Sequence, residues 1–375
     1  MKIIHLISLH QWTGPAEYVV KVAKFLKSKK EQVIIGFRNF YKGEFKNRLI
    51  KQGIDFTECL SFPRGFKPTM MIKDFTNLTK IIETFSPDIV HCHNSIENIY
   101  SSLIKIRRKN FILVRSIHNS KYLTKKPFAK ILFNSNDYLL TNCNYFKREM
   151  IEKFNLPENK IDVIKGFVDL KKFKPEGNKD FLEKNYKIKN SVNIGMVARF
   201  QPHRGHKYLI DAFIKLAKKF ENIRLILTGR GESLIPLKEY VKNLNLSDRI
   251  IFTGYIGEDL PELLRSLDIF VLLQEGSDGT CRAVLEAMAT GLPIITVKRG
   301  ALKETIVEEE NGFFISDKRD VQQLVHKLQL LIESHEIRER MGRLSRIFAE
   351  NDFSEDKQLE KYYKFYRRIL NERDF

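Results

Sequence analysis

Between the apolar runs "IFVLL" (269–273) and "PIITV" (293–297) lies "EGSDGTCRAVLEAMATG" (275–291), which carries the acids Glu275, Asp278 and Glu286. From about Arg282 the stretch reads as a helix, closed by Gly291 and Pro293. Arg282 and Glu286 are its only charged residues and stand four apart. A carboxylate near a helix start can accept two hydrogen bonds from vicinal hydroxyls, as on a ribose. The purely structural alternative is a local pair with Arg282, worth about 0.3–0.5 kcal/mol and in the poorer order, arginine first.

A second constellation is "ARFQPHRGHKYL" (198–209), which gathers Arg199, His203, Arg204, His206 and Lys207 around Gly205. Positive charge at a helix entrance opposes the macrodipole. Such a turn is explained by an anionic ligand, and a diphosphate fits it. In "HQWTGPAEY" (10–18), Gly14 followed by Pro15 marks a tight turn into a helix. It is either an ordinary strand-to-helix connection or a place where a ligand meets the backbone. His118 closes "FILVRSIH" at another strand end, where a lone histidine is usually structural. "HCH" (91–93) invites a metal. Neighbouring side chains on a strand point to opposite faces and no second ligand cluster is evident, so no metal is expected.

These residues need elements to hold them. "KIIHLIS", "QVIIGF", "DIVHCH", "FILVRSI" and "YLLTNC" read as strands in the first half. "VNIGMVAR", "RLILTG", "RIIFTG", "IFVLL" and "PIITV" form a second series. Helical patterns such as "AEYVVKVAKFLKSK" and "KYLIDAFIKLAKKF" intervene. Continuous apolar strands alternating with helices imply parallel sheets covered on both faces. In such sheets ligands sit beyond the carboxyl ends of the strands. The lysine-rich stretch 169–190 separates the series, and "EDKQLEKYYKFYRRIL" forms a terminal amphipathic helix with Ser354 placed to cap it.

The chain has 375 residues, 43% of them hydrophobic and 30% charged, a composition able to fill two cores. No apolar run reaches the roughly 18 residues of a membrane span. The N-terminus lacks a cleavage signature and reads as a strand. Four scattered cysteines fit reduced thiols in the cytoplasm. The net charge of +19 is unevenly spread. About 32 Lys/Arg against 15 Asp/Glu lie before residue 176, leaving the remainder close to neutral. A basic half attracts nucleic acid, an anionic membrane or an acidic substrate, or serves solubility alone.

Taken in order, "IHLISLHQWTGPAEYVVKVAKFL", "PDIVHCH", "GMVARFQPHRGHKYLIDAF", "LILTGRGE", "IIFTGYIG", "LEAMATGLPIIT" and "GALKETIVEEENGFFI" resemble the retaining glycosyltransferases of family 4. The likeness covers nearly the whole chain. Thr13-Gly14-Pro15-Ala16-Glu17 replaces the usual Gly-Gly-Ala-Glu, and Lys165-Gly166-Phe167 replaces the common Pro-Asn-Gly. The family pairs two acids with seven residues between them. Counting back from Glu286 selects Asp278, with Glu275 left as a flank unless the loop bulges.

The resemblance implies a GT-B fold, two Rossmann-like doubly wound parallel-sheet domains facing across a cleft. Residues 1–172 would bind the acceptor and 173–353 the nucleotide sugar, and the helix 354–375 would cross back to the first domain. The implied chemistry is transfer, with retention, from a nucleotide diphosphate sugar to a hydroxyl acceptor. Arg199 and Arg204 would hold the diphosphate and stabilise leaving-group charge. Glu286 would bind the ribose and Asp278 the donor sugar, with Gly279, Thr280, Cys281 and Arg282 near it. Arg282 would meet an anionic or polar group of the sugar. Gly14 would lie against the diphosphate, Thr253, Gly254, Tyr255 and Ile256 would line the base pocket, and Glu304 would hold the phosphates or sugar. His118 would face the acceptor.

No D-x-D motif ends a strand, so no metal and no cofactor beyond the donor (a UDP, GDP or ADP sugar) is expected. The acceptor would be a lipid-linked molecule or a saccharide in lipopolysaccharide, glycolipid or related surface polysaccharide synthesis. "KIRRK" (105–109) and "KYLTKKPFAK" (121–130) would hold the enzyme at the inner face of an anionic membrane. Two rivals remain at this stage: a nucleic-acid-binding protein and a catalytically lapsed sugar-nucleotide-binding module.

Overall fold

A computed structural model of the chain describes residues 1–9, 14–38, 44–63, 65–118, 123, 129–274 and 281–373. The first unit holds a seven-stranded sheet in the order β3-β2-β1-β4-β5-β6-β7. Its strands are β1 (Lys2–Ile7), β2 (Gln32–Phe37), β3 (Asp55–Thr57), β4 (Ile89–Cys92), β5 (Ile112–Ile117), β6 (Tyr138–Thr141) and β7 (Ile161–Val163). The second unit holds six strands in the order β10-β9-β8-β11-β12-β13. These are β8 (Val192–Val197), β9 (Ile223–Thr228), β10 (Ile250–Gly254), β11 (Ile269–Leu272), β12 (Ile294–Val297) and β13 (Gly312–Ile315). Neighbouring strands run parallel throughout.

Both sheets reverse direction beside their first strand, β1 against β4 in one and β8 against β11 in the other. At such a switch point the two following connections leave in opposite directions and open a crevice at the carboxyl ends. The first unit comprises Met1–Lys165 and Asp356–Phe375, together with three loop residues outside the described set; the rest forms the second unit. In the second unit Val168 and Ser354 form a parallel bridge, with the Val168 amide 2.9 Å from the Phe353 carbonyl. Ser354 immediately precedes the helix Glu355–Asn371.

Strand alternation sorts the first sheet into two chemically different faces. Ile4, Leu6, Val90, Cys92 and Leu113 join an apolar cluster with Leu78, Ile82 and Tyr100 from the helices Pro68–Phe85 and Ser95–Arg107. The other face carries His5 and His91, which are register partners on β1 and β4. The terminal helix meets that face. The Tyr366 hydroxyl lies 2.7 Å from Nδ1 of His91, whose Nε2 lies 2.8 Å from the Ser116 hydroxyl.

Removing the Tyr366 hydroxyl would leave a buried ring nitrogen without its partner. Tyr366→Phe is expected to destabilise the protein by about 1–3 kcal/mol, measured as a lower urea midpoint. An unchanged midpoint would show that the contact contributes nothing.

Candidate active site

In the second unit the chain leaves β8 through Ala198 and Arg199 and turns at Pro202–Arg204 into the helix His206–Ala217. The turn needs glycine at 205 for two reasons. Its φ is +89°, and a Cβ there would stand 2.7 Å from Cβ of Leu273, beside the end of β11. Gly229 and Gly231 let a second backbone approach, since their added Cβ atoms would lie 2.1 and 2.2 Å from the carbonyls of Ala198 and Phe200. The turn is thus wedged between the ends of β9 and β11. Arg204 is buried within it and Arg199 is exposed.

A third cation joins them. Lys318, three residues beyond β13, donates from Nζ to the His203 carbonyl at 2.6 Å and to Oε1 of Gln274 at 3.1 Å. Its pKa is lowered from the usual lysine value, first by burial, then by the neighbouring charge of Arg299, with Arg204 contributing less. Crowding of cations raises each one's energy until an anion relieves it. Sequence reasoning missed Lys318. The signal was available, because "SDKRD" follows a strand end as the other basic turns do.

Helix Arg282–Ala289 begins after Cys281, which is buried with φ +52°. Arg282 Nε donates to Glu286 Oε1 at 2.7 Å, and the Glu286 side chain is almost wholly buried. The local pair treated above as the plain structural alternative therefore forms. It is not a weak surface pair, because burial of the carboxylate strengthens its attraction to arginine and raises the cost of leaving it unpaired. Glu275, Asp278, Gly279 and Thr280 lie outside the described residues.

Thr253 and Gly254 end β10, where the Thr253 hydroxyl donates to that of Thr228 at 2.9 Å. Tyr255 beyond them is 61% exposed, and the Arg230 guanidinium stands 4.2 Å from its ring centroid. A ring face exposed beside an arginine suits planar stacking. Ile256 follows Tyr255 in this loop. Glu304 is half-buried in the short helix Leu302–Thr305 after β12.

In the first unit Gly14 is half-buried at the start of the helix Gly14–Ser28. His118 follows β5 and stacks on His93, with ring planes 9° apart. The "HCH" reading requires a correction. Cys92 does face away, but residues two apart share a face, so His91 and His93 lie together and β1 adds His5. Their candidate ligand atoms all fall within 4.8 Å of one another. Burial lowers the pKa of His5 to about 3 and holds His91 and His93 well below the usual histidine value.

Two family models match in tandem: Glycosyltransferase Family 4 over residues 12–172 and Glycosyl transferases group 1 over 178–347. The chain belongs to the family 4 glycosyltransferases. It is an enzyme of the GT-B type that uses a nucleotide-sugar donor. The chain is 28% identical over 346 residues to the Escherichia coli UDP-Gal:alpha-D-GlcNAc-diphosphoundecaprenol alpha-1,3-galactosyltransferase, covering 85% of this chain and 88% of that one. Spore coat protein SA of Bacillus subtilis is 25% identical, covering 75% and 78%.

Among solved structures, a glycosyltransferase from Rickettsia africae superposes with a TM-score of 0.84 at 23% identity, covering 98% of each chain. Anabaena HepE in complex with UDP and glucose gives 0.81 at 18% identity, covering 98% and 99%. The two sheets are those of this fold. Neither the nucleic-acid rival nor the lapsed module draws support from these comparisons.

If Lys318 serves the glycosyltransferase as a phosphate contact, Lys318→Met should weaken the tightest binder among UDP, GDP and ADP by about 10-fold, read by calorimetry. Unchanged affinity together with an unchanged melting temperature would remove it from the site.

Proposed function

We propose that this glycosyltransferase transfers its sugar with retention, to a hydroxyl of a lipid-linked or saccharide acceptor used in cell-surface polysaccharide assembly. The observation that carries the donor half is the cationic turn, with Arg204 buried and Lys318 bonded to its backbone. Arg199, Arg204 and Lys318 hold the diphosphate. As the bond from the anomeric carbon to the phosphate oxygen breaks, charge grows on the departing diphosphate. Fixed cations answer that charge without reorganising, which is the largest catalytic term open to this site. Glu286 accepts hydrogen bonds from the ribose hydroxyls while Arg282 holds it in place and meets a polar group of the sugar. Tyr255, with Thr253, Gly254 and Ile256, receives the base. Glu304 steadies the phosphates or sugar.

On this reading Asp278 contacts the donor sugar, with Gly279, Thr280 and Cys281 beside it, and Gly14 accommodates the diphosphate. His118 hydrogen-bonds an oxygen of the acceptor or of the reacting sugar. The Escherichia coli relative acts on a diphosphoundecaprenol-linked sugar, which supports a lipid-linked acceptor. UDP in the solved neighbours puts UDP-sugars first in a donor screen. Glu286→Ala and Arg204→Ala should each reduce transfer at least 100-fold while leaving the melting temperature of the free enzyme within a few degrees. Full activity in both would refute the site.

The acceptor reading brings a membrane with it. On helix Ser95–Arg107, Ile99, Leu103 and Ile106 are exposed in one stripe, beside exposed Arg107, Arg108 and Lys109. Apolar side chains rimmed by cations suit an anionic bilayer surface. Most of the second basic segment, 121–130, lies outside the described residues. No described helix is long and apolar enough to cross a membrane. Co-sedimentation should be strong with phosphatidylglycerol vesicles, weak with phosphatidylcholine alone, and reduced by Ile106→Asp. Equal binding to both vesicles would count against the surface.

A further inference from the structure

The first unit holds a cavity of about 470 Å³ at the end of its sheet remote from the strand carboxyl ends. Ile112, which begins β5, lines it, and so does Asp137, which immediately precedes β6. Substrate-binding loops leave a parallel sheet from its other end. Lys105, Ile106 and Lys109 wall the cavity from the last turn of helix Ser95–Arg107 and just beyond it. Arg373 joins them from beyond the end of helix Glu355–Asn371. The volume is that of a small-ligand site.

The charges that line it do not balance, since three are cationic and Asp137 is the one acid. Lys105 is committed: it pairs with Oδ2 of Asp137 and donates to the Phe111 carbonyl at 2.9 Å. The same Oδ2 accepts the Leu113 amide at 2.7 Å, while Oδ1 accepts no hydrogen bond from a described residue. Lys109 and Arg373 have no carboxylate partner among the described residues. A long contact ties them, from Nη2 of Arg373 to the Lys109 carbonyl at 3.5 Å. Cations in the last turn of a helix answer its macrodipole, an effect confined to that turn. That accounts for Lys105 and Arg107, but Lys109 and Arg373 stand beyond the ends of their helices. An anion between them accounts for both.

Ile106 links this cavity to the surface beside it. It lines the cavity and, 72% exposed, also ends the apolar stripe of Ile99 and Leu103. A molecule lying along the stripe therefore brings its end to the cavity. We propose that the cavity seats the headgroup of an anionic membrane phospholipid whose head is a polyol, as in phosphatidylglycerol. Arg373 and Lys109 donate to the phosphodiester oxygens. The headgroup hydroxyls donate to Oδ1 of Asp137, which repels any head that carries a second acid. The glycerol carbons rest on Ile106 and Phe111, and the acyl chains follow the stripe into the bilayer. This rests on the membrane reading above and replaces a diffuse attraction with recognition of one lipid class.

Dihexanoyl-phosphatidylglycerol, kept below the concentration at which it forms micelles, separates headgroup binding from adsorption to a charged surface. Titrated into the full-length enzyme by calorimetry, it should bind saturably, one per chain. Dihexanoyl-phosphatidylserine, with its extra carboxylate, should bind about 10-fold more weakly. The double variant Lys109→Ala, Arg373→Ala should lower affinity for the phosphatidylglycerol at least about 10-fold, with its melting temperature unchanged. Leu103→Asp, on the stripe but outside the cavity, should abolish co-sedimentation with phosphatidylglycerol vesicles and hold short-chain binding within about 3-fold. No saturable binding, equal binding of the two lipids, or an undiminished affinity in the double variant would overturn the proposal, whatever the vesicles show. Saturable short-chain binding by an enzyme that ignores the vesicles would instead refute the membrane reading, and with it the lipid source.

Discussion

The reversal of strand order beside β1 and β8 is the constraint on which the other features depend. A parallel sheet covered on both faces gives its strands no solvated side. Polar groups are then either bonded internally or carried to the strand ends, where connections diverge and water enters. Arg199, Gln274 and the start of helix Arg282–Ala289 gather after β8 and β11, and Ser8, His93 and Asn94 after β1 and β4. Glu97 shows how tightly these ends are bound. Its Oε1 accepts from the amides of Ser8 and Asn94, at 3.3 and 2.7 Å, joining the loops of two adjacent strands.

In the second unit, glycine lets backbones meet where basic side chains gather. Gly205, Gly229 and Gly231 allow three loops to touch at distances no side chain would permit. That contact brings Arg204 and Lys318 together from positions more than a hundred residues apart. Their mutual repulsion opposes folding, and an anion relieves it. The Arg282–Glu286 pair has the same character. A buried carboxylate needs a cation beside it, and Arg282 supplies one from four residues earlier on the same helix.

The histidine face of the first sheet shows a different solution. His5, His91 and His93 could have been apolar, as Ile4, Val90 and Cys92 are on the opposite face. Burial keeps them neutral, and each then needs partners of defined tautomer. Tyr366 and Ser116 satisfy His91, and His5, His93 and His118 are joined ring nitrogen to ring nitrogen. Such a layer is rigid because no ring can turn without leaving another unbonded.

The sequence by itself determined the fold class, ten of the strands and the basic turn. Continuous apolar runs, helical periodicity and Gly205 are local signals, and local physics reads them. It did not reveal β3, β7 or β13, each of which lies at a sheet edge. Edge strands pair on one side only and need no long apolar run, as Asp55–Thr57 and Ile161–Val163 illustrate. Only the tertiary structure joined His5 to His91 and His93, or Tyr366 to His91 across 275 residues. It also decided that Glu286 is buried against Arg282 and that Lys318 stands on the cationic turn. Those contacts depend on strand order and on burial in three dimensions. Spacing along the chain encodes which face a residue takes, but not which neighbour will stand beside it.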